Sequence, residues 1–190
     1  NEEEKANKNN LSLYKYFDLK AEDVKMGAND LLFYTSLVGE RTTYWTSKFR
    51  GSILGLTPNH KKEHLVRAIL EGSSFAVRHV IDILEENDAN IDDVIMIGGG
   101  AKSLVWPQIR ANITGKKYLV PEITEATSFG LFMCVLKGLD IYSTYSEIEK
   151  KLIKNNNSFS TNNNKFKRYE KIYKTYIQIH KYLEEIYNIL

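Results

Sequence analysis

Apolar residues between His60 and Glu86 recur at steps of three and four: Leu65, Ala68, Ile69, Ala76, Val80, Ile83 and Leu84. That spacing predicts one long amphipathic helix, with Pro58 near its start. Gly72 falls inside it and costs about 1 kcal/mol against alanine in a helix interior. A close helix or sheet contact is therefore expected at that turn. Ahead of the helix, the run Leu31–Leu37 reads as a strand buried on at least one side, and Gly51–Leu56 as a short glycine-bounded element. Behind it, Val94–Ile97 reads as a buried strand, Leu104–Thr114 as a helix with Gly115 as its C′ glycine, and Tyr118–Val120 as a strand stopped by Pro121. Thr124 reads as the N-cap of a further helix running to about Lys137 and closed by Gly138. This β-α-β-α alternation predicts an α/β layer structure with a parallel strand pair and a right-handed crossover.

The tail has a different texture. Phe166, Tyr169, Tyr173, Tyr176, His180, Leu183, Tyr187 and Leu190 form one stripe, widened by Ile172, Ile179 and Ile186. An amphipathic helix docked on its own domain is expected. A dimer helix is the sharper alternative, but the stripe is wider than a two-position coiled-coil seam. The boundaries follow: a disordered or polar leader over 1–10, a domain over 11–150, an asparagine-rich low-complexity loop over 151–165, and a terminal amphipathic helix over 166–190. The chain begins with Asn1 rather than methionine, which suggests a piece of a longer product.

The 190 residues suit one domain, and the formal net charge of +2 is spread without a basic stripe, so nucleic acid is not expected as a partner. No apolar run is long enough to span a membrane and no signal peptide is present, which makes a reducing cytoplasm the default. The single cysteine, Cys134, excludes an internal disulfide framework and reads as a buried, inert thiol. His60 and His64 stand four apart without a third ligand nearby, so no metal site is expected from them. Trp45 and Trp106 read as anchors in packed seams.

The chemistry-bearing segment is Gly98-Gly99-Gly100-Ala101-Lys102-Ser103, between a strand and a helix. Glycines there let main chain approach a flat or anionic ligand, and the helix start offers unpaired N–H groups. A P-loop would need glycine where Ala101 stands, and a dinucleotide fingerprint would need glycine where Ser103 stands. Ser103 has two open roles, capping the helix or donating to a ligand. Glu40 and Arg41 read as a loop ion pair, and Asp92 and Asp93 as solvated strand-end residues. No convincing catalytic base is present.

Four ordered motifs carry a resemblance. They are Gly39-Glu40-Arg41-Thr42-Thr43-Tyr44-Trp45; Arg50–Thr57 followed by His64-Leu65 and Ala68–Gly72; Gly98–Ser103 with Trp106, Gln108 and Ile109; and Val120-Pro121-Glu122 followed by Thr124–Gly130. In this order they resemble the FGGY carbohydrate kinases, and within that family most nearly the xylulose kinases. Thr43 stands where the family usually has proline. The resemblance covers about Leu13 to Tyr142 and implies the later part of the second, nucleotide-side domain of an actin-like, ribonuclease-H-like α/β fold, truncated at its N-terminal side. It implies ATP and Mg2+ as cofactors, a sugar such as D-xylulose or a related pentulose as substrate, and a nucleotide-binding set in which Gly99, Gly100 and Ala101 lie along the adenosine and α-phosphate, Lys102 is a solvated cation near the phosphates, and Ser103 opens the helix beside them. It also implies that the catalytic aspartate, most sugar contacts and the first N-terminal domain lie outside this chain, which alone would be inactive. Alternatives are a non-catalytic nucleotide-binding or dimerisation module, or a kinase of the same family acting on gluconate, fuculose, glycerol or another polyol.

Overall fold

A computed structural model describes residues 1–43 and 45–189. Tyr44 of the Gly39–Trp45 motif and Leu190 at the end of the tyrosine stripe lie outside the described residues.

The expected long helix spans Lys62–Glu86 (α3, the third helix along the chain) and is the spine of the molecule. Two shorter helices precede it, α1 over Glu2–Lys8 and α2 over Leu13–Glu22. Residues 1–10 are therefore not a disordered leader. Asn1 caps α1 by accepting the Glu4 N–H, and the Glu4 carboxylate returns to the cap, a reciprocal arrangement that lets so short a helix form.

Strands β1 (Leu32–Tyr34) and β2 (Ser52–Leu54) pair antiparallel as a separate two-stranded sheet. The expected close contact at Gly72 is made to this sheet. A β-carbon there would lie 2.0 Å from the Phe33 carbonyl oxygen, so only glycine lets α3 and β1 approach this closely.

The second sheet has the order β3-β4-β5, with β3 at Asp93–Ile95, β4 at Lys117–Pro121 and β5 at Asn155–Phe159. β3 and β4 are the expected parallel pair, joined by helix α4 (Trp106–Thr114), and Gly115 ends α4 in the left-handed conformation. The asparagine-rich stretch expected as a loop instead supplies β5, antiparallel to β4. Its composition disfavours a strand; the ladder with β4 and the packing of Phe159 on the Met96–Tyr118–Val120 cluster override that preference.

Helix α5 covers Ala126–Gly138 and starts one residue later than expected, with Glu125 rather than Thr124 at its N-cap. Only Leu136 is buried along it. Cys134 lies on its exposed face, which corrects the expectation of a buried thiol. Helix α6 (Tyr145–Leu152) follows.

The tail is helix α7, Asn163–Ile189. Its stripe docks on the chain itself: Tyr169, Tyr173, Tyr176 and Leu183 join Tyr34, Leu70, Phe75, Ile109 and Ile113 in the main core. Tyrosine suits this seam because the rings bury apolar area while the hydroxyls of Tyr34, Tyr169 and Tyr173 reach partners. Tyr34 donates to the Tyr176 carbonyl at 2.9 Å, and the two rings stack. Tyr173 donates to Asp82 at 2.6 Å. Tyr169 donates to Glu71 at 2.7 Å, beside the buried Arg67–Glu71 pair at 2.6 Å.

Candidate functional site

The glycine corner is built by the end of β3 and the start of α4. After Ile95 the ladder continues for one bond, from Met96 N–H to the Leu119 carbonyl at 2.9 Å. The chain then turns at Gly98, whose φ of 74° and ψ of −164° suit glycine alone. Gly98 donates its N–H to the Thr124 carbonyl at 2.8 Å, tying the corner to the segment ahead of α5. Gly99–Lys102 form one 3-10 turn. Ser103 Oγ accepts the N–H groups of Val105 at 3.3 Å and Trp106 at 3.0 Å. This turn and the Ser103 cap delay α4 to Trp106, two residues after its expected start.

The five residues expected to line a nucleotide divide into two sets. Space beyond Gly99 is empty: an added β-carbon would meet nothing within 4 Å, and the same holds at Gly98. Lys102 stands at the rim, exposed, with its Nζ 2.7 Å from Glu125 Oε1. Gly100, in contrast, faces inward. A β-carbon there would lie 2.8 Å from Trp106 Cζ3 and 3.2 Å from Met96 Cε. Ala101 is buried in the Met96–Ala111–Tyr118–Val120 cluster. Ser103 is the cap. Gly100, Ala101 and Ser103 therefore shape the corner through packing and capping. Their side-chain positions are directed at the fold.

Three residues beyond that set belong to the corner. Gly98 provides half of the bare surface, and Thr124 and Glu125 form its second wall. The signal for them was the Thr124–Gly130 motif, but nothing in its spacing shows that it folds back onto Gly98. Hydrogen bonding and charge from Lys102 hold the Glu125 carboxyl below its usual range. The corner thus offers bare main chain, the leading N–H groups of a 3-10 turn that have no partner within it, and one exposed cation paired with Glu125. It offers no base. Trp106 is the anchor expected, its Nε1 donating to the Leu70 carbonyl at 3.2 Å and Ser74 Oγ at 3.3 Å. Trp45 is not an anchor, being 86% exposed.

The Gly39–Trp45 motif lies elsewhere. Glu40 pairs with His180 of α7 at 3.1 Å, where the sequence suggested Arg41, and it also accepts from Ser36 at 3.1 Å and from Thr43. Burial raises the Glu40 pKa, but His180, Thr43 and Ser36 outweigh it and hold the carboxyl below its ordinary value. This loop, the α3 residues Ala76, Val80 and Leu84, and β3 border a groove of about 760 Å³. His60 and His64 are structural: their Nδ1 atoms accept the N–H groups of Thr57 and Lys61, each at 2.9 Å. Among the described residues no group of three or more His, Cys, Asp or Glu could hold a metal ion, and no helix is long and apolar enough to cross a membrane.

Comparison with known proteins places this geometry in context. Residues 1–137 match the FGGY family of carbohydrate kinases, C-terminal domain. Xylulose kinase of Bacillus subtilis is 33% identical over 138 residues, covering 73% of this chain and 28% of that protein. Gluconokinase of Bacillus licheniformis is 41% identical over 117 residues, covering 61% of this chain and 22% of that protein. The solved, ligand-bound xylulose kinase of Lactobacillus acidophilus superposes with a TM-score of 0.81 at 24% identity, over 95% of this chain and 36% of its own. The chain therefore spans about a quarter to a third of the length of the proteins it matches.

Proposed function

This chain belongs to the FGGY family of carbohydrate kinases, and from that premise we propose that it supplies the adenosine-binding side of the cleft in an ATP-dependent kinase acting on a sugar hydroxyl. D-xylulose or a related pentulose is the substrate we favour, because the relatives matching most of this chain are xylulose kinases. The higher identity to gluconokinase over a shorter stretch keeps gluconate as the second reading. A cytoplasmic setting goes with either, in keeping with a single cysteine that has no partner thiol in the chain.

The observation that carries the proposal is the bare surface at Gly98 and Gly99. A planar base can lie against main chain only where no β-carbon stands off the approach. Gly99 lines the purine. Gly100 and Ala101 hold the turn in shape behind it, and Ser103 fixes where α4 starts. Lys102 leaves Glu125 and turns to the phosphates; an exposed ion pair of this kind is weak, so the exchange is inexpensive. ATP supplies the phosphoryl group. Among the described residues no acidic cluster would hold Mg2+, and we place the ligands for the ion and the base that takes the sugar proton outside this chain.

Calorimetric titration of the chain with ATP tests this, alongside an assay of D-xylulose and gluconate phosphorylation. Weak nucleotide binding, with a dissociation constant of about a millimolar, and no turnover are expected. Loss of that binding in Gly99→Val, with stability retained, would support the corner as its seat. Absence of binding to the unaltered chain at millimolar ATP would remove the proposal's basis.

A further inference from the structure

Basic residues that are scattered along the sequence collect on one face once α7 forms. Lys167, Lys171, Lys174, Gln178 and Lys181 recur at steps of four and three, and Arg168 lies beside them. Tyr169, Tyr173, Tyr176 and Leu183 take the opposite face into the core. The five cations therefore stand on the outside of the molecule, and all are exposed. From Lys167 to Lys181 the row runs for about 21 Å, at a helical rise of about 1.5 Å per residue. Between Asn163 and Leu183 the one acidic residue is Glu170, and Arg78 of α3 holds it. Among the described residues none of the five cations has an ion pair.

A solvated helix face ordinarily mixes signs, because opposite charges three or four residues apart attract. Here Lys167 repels Lys171 and Lys171 repels Lys174, a penalty that an external anion relieves. Four of the five cations are lysines, point charges without the planar fork that arginine uses for bidentate recognition. A diffuse field of anions therefore suits the row better than one shaped anionic group. Towards its C-terminal end the same side of the helix turns apolar. Gln178, Tyr182, Ile186 and Ile189 follow at steps of four and three, and the last three are 54%, 48% and 86% exposed. Glu185 closes the basic row after Lys181. Cations followed by a tyrosine and two isoleucines on one side suit a lipid–water boundary, where headgroups meet the charges and acyl chains meet the apolar side chains. A nucleic acid would satisfy the lysines and leave the isoleucines in water.

We propose that the outer face of α7 docks this chain on an anionic lipid surface. Lys167, Arg168, Lys171, Lys174 and Lys181 lie against the headgroups, and Tyr182, Ile186 and Ile189 enter the boundary with the acyl chains. The tyrosine face of α7 keeps its place in the core, so docking needs no unfolding. Each cation brought to such a surface strengthens binding about fivefold, and the attraction fades within a Debye length, about 8 Å at physiological salt. The cytoplasmic setting proposed above supplies a suitable membrane, since the cytoplasmic leaflet is the anionic one. Neither the nucleotide corner nor the identity of the sugar enters this inference.

Co-sedimentation of the chain with lipid vesicles, without nucleotide, is the test. Binding is expected to vesicles of phosphatidylcholine and phosphatidylserine in equal parts, with loss in molar salt and no binding to phosphatidylcholine alone. Lys167→Gln, Lys171→Gln and Lys174→Gln together should weaken binding by about 100-fold, three successive factors of about five. Ile186→Ser with Ile189→Ser should weaken it by about tenfold and leave its salt dependence in place. All five substituted positions are exposed, so both variants are expected to keep the circular dichroism and thermal melt of the unaltered chain. Absence of binding to the mixed vesicles, equal binding to both kinds, or indifference to either set of substitutions would overturn the proposal. So would tighter binding to duplex DNA than to the mixed vesicles, since the row would then serve a nucleic acid.

Discussion

Two neighbouring glycines should respond to alanine in opposite ways. At Gly100 the new methyl would stand 2.8 Å and 3.1 Å from two Trp106 ring atoms, against an ordinary contact of 3.4 Å or more. The indole would have to retreat by about 0.6 Å, yet its Nε1 is held by Leu70 and Ser74 and Pro107 follows it directly. Overpacking of this kind costs about 1–3 kcal/mol. Gly100 lies outside the left-handed region, so alanine returns about 0.4–1 kcal/mol by restricting the unfolded chain. The net expectation for Gly100→Ala is a loss of up to about 2.5 kcal/mol. At Gly99 nothing lies within 4 Å, so the same substitution should leave stability unchanged or raise it by up to about 1 kcal/mol. There the methyl would enter the space proposed for the nucleotide, and a clash of about 1–3 kcal/mol would weaken binding by about 5- to 150-fold. Urea denaturation gives the first quantity and ADP titration followed by amide shifts the second. Equal destabilisation by the two substitutions, or unchanged ADP affinity in Gly99→Ala, would refute the division of roles.

Other outcomes follow from the same packing. Gly72→Ala should cost about 3–5 kcal/mol in urea denaturation, since its β-carbon would meet the Phe33 carbonyl at 2.0 Å and main chain must move. Arg67→Met should cost about 3–5 kcal/mol, because it leaves the Glu71 carboxylate buried with only Tyr169 and the Gly27 N–H as partners; a loss under about 1 kcal/mol would contradict that. Stability should also fall in two stages on acidification. Burial, with His180 nearby, holds the His79 pKa below its ordinary value of 6.5. The fold therefore favours neutral His79, and its contribution is full above about pH 6.5 and lost as pH falls through the lowered value. Glu40, also depressed, contributes above about pH 4.3, and that contribution is lost as pH falls through its lowered folded value. Thermal melts between pH 8 and 3 should show the upper stage flattened in His79→Gln and the lower stage in Glu40→Gln.

The sequence was most informative where one periodic face met one core. The 3.6-residue rhythm of His60–Glu86 defined α3 to within two residues at its start, and Gly72 announced its close contact before the partner strand was known. The tyrosine stripe likewise implied docking. Residues 1–22 escaped because their helices are short and mostly polar, although Asn1 and Glu4 carry a capping signal. β5 escaped because three consecutive asparagines hold no strand preference, and only β4 supplies the reason to extend. Cys134 sits in an apolar run, but burial depends on a covering element, and the Tyr145 hydroxyl of α6, 3.9 Å from its sulfur, leaves it exposed. The corner was legible as a place but not in its division of labour. Which glycine is left bare depends on where the Trp106 ring falls after the 3-10 turn, a tertiary fact that a row of three glycines does not contain.

Amide-resolved titration of the chain with ADP tests the central claim most directly. If purine lies against main chain at the corner, the largest saturable shifts fall on Gly98 and Gly99, with smaller ones at Lys102 and Glu125 as their ion pair opens. Shifts confined to other parts of the chain, or a corner unchanged at saturating ADP, would contradict it.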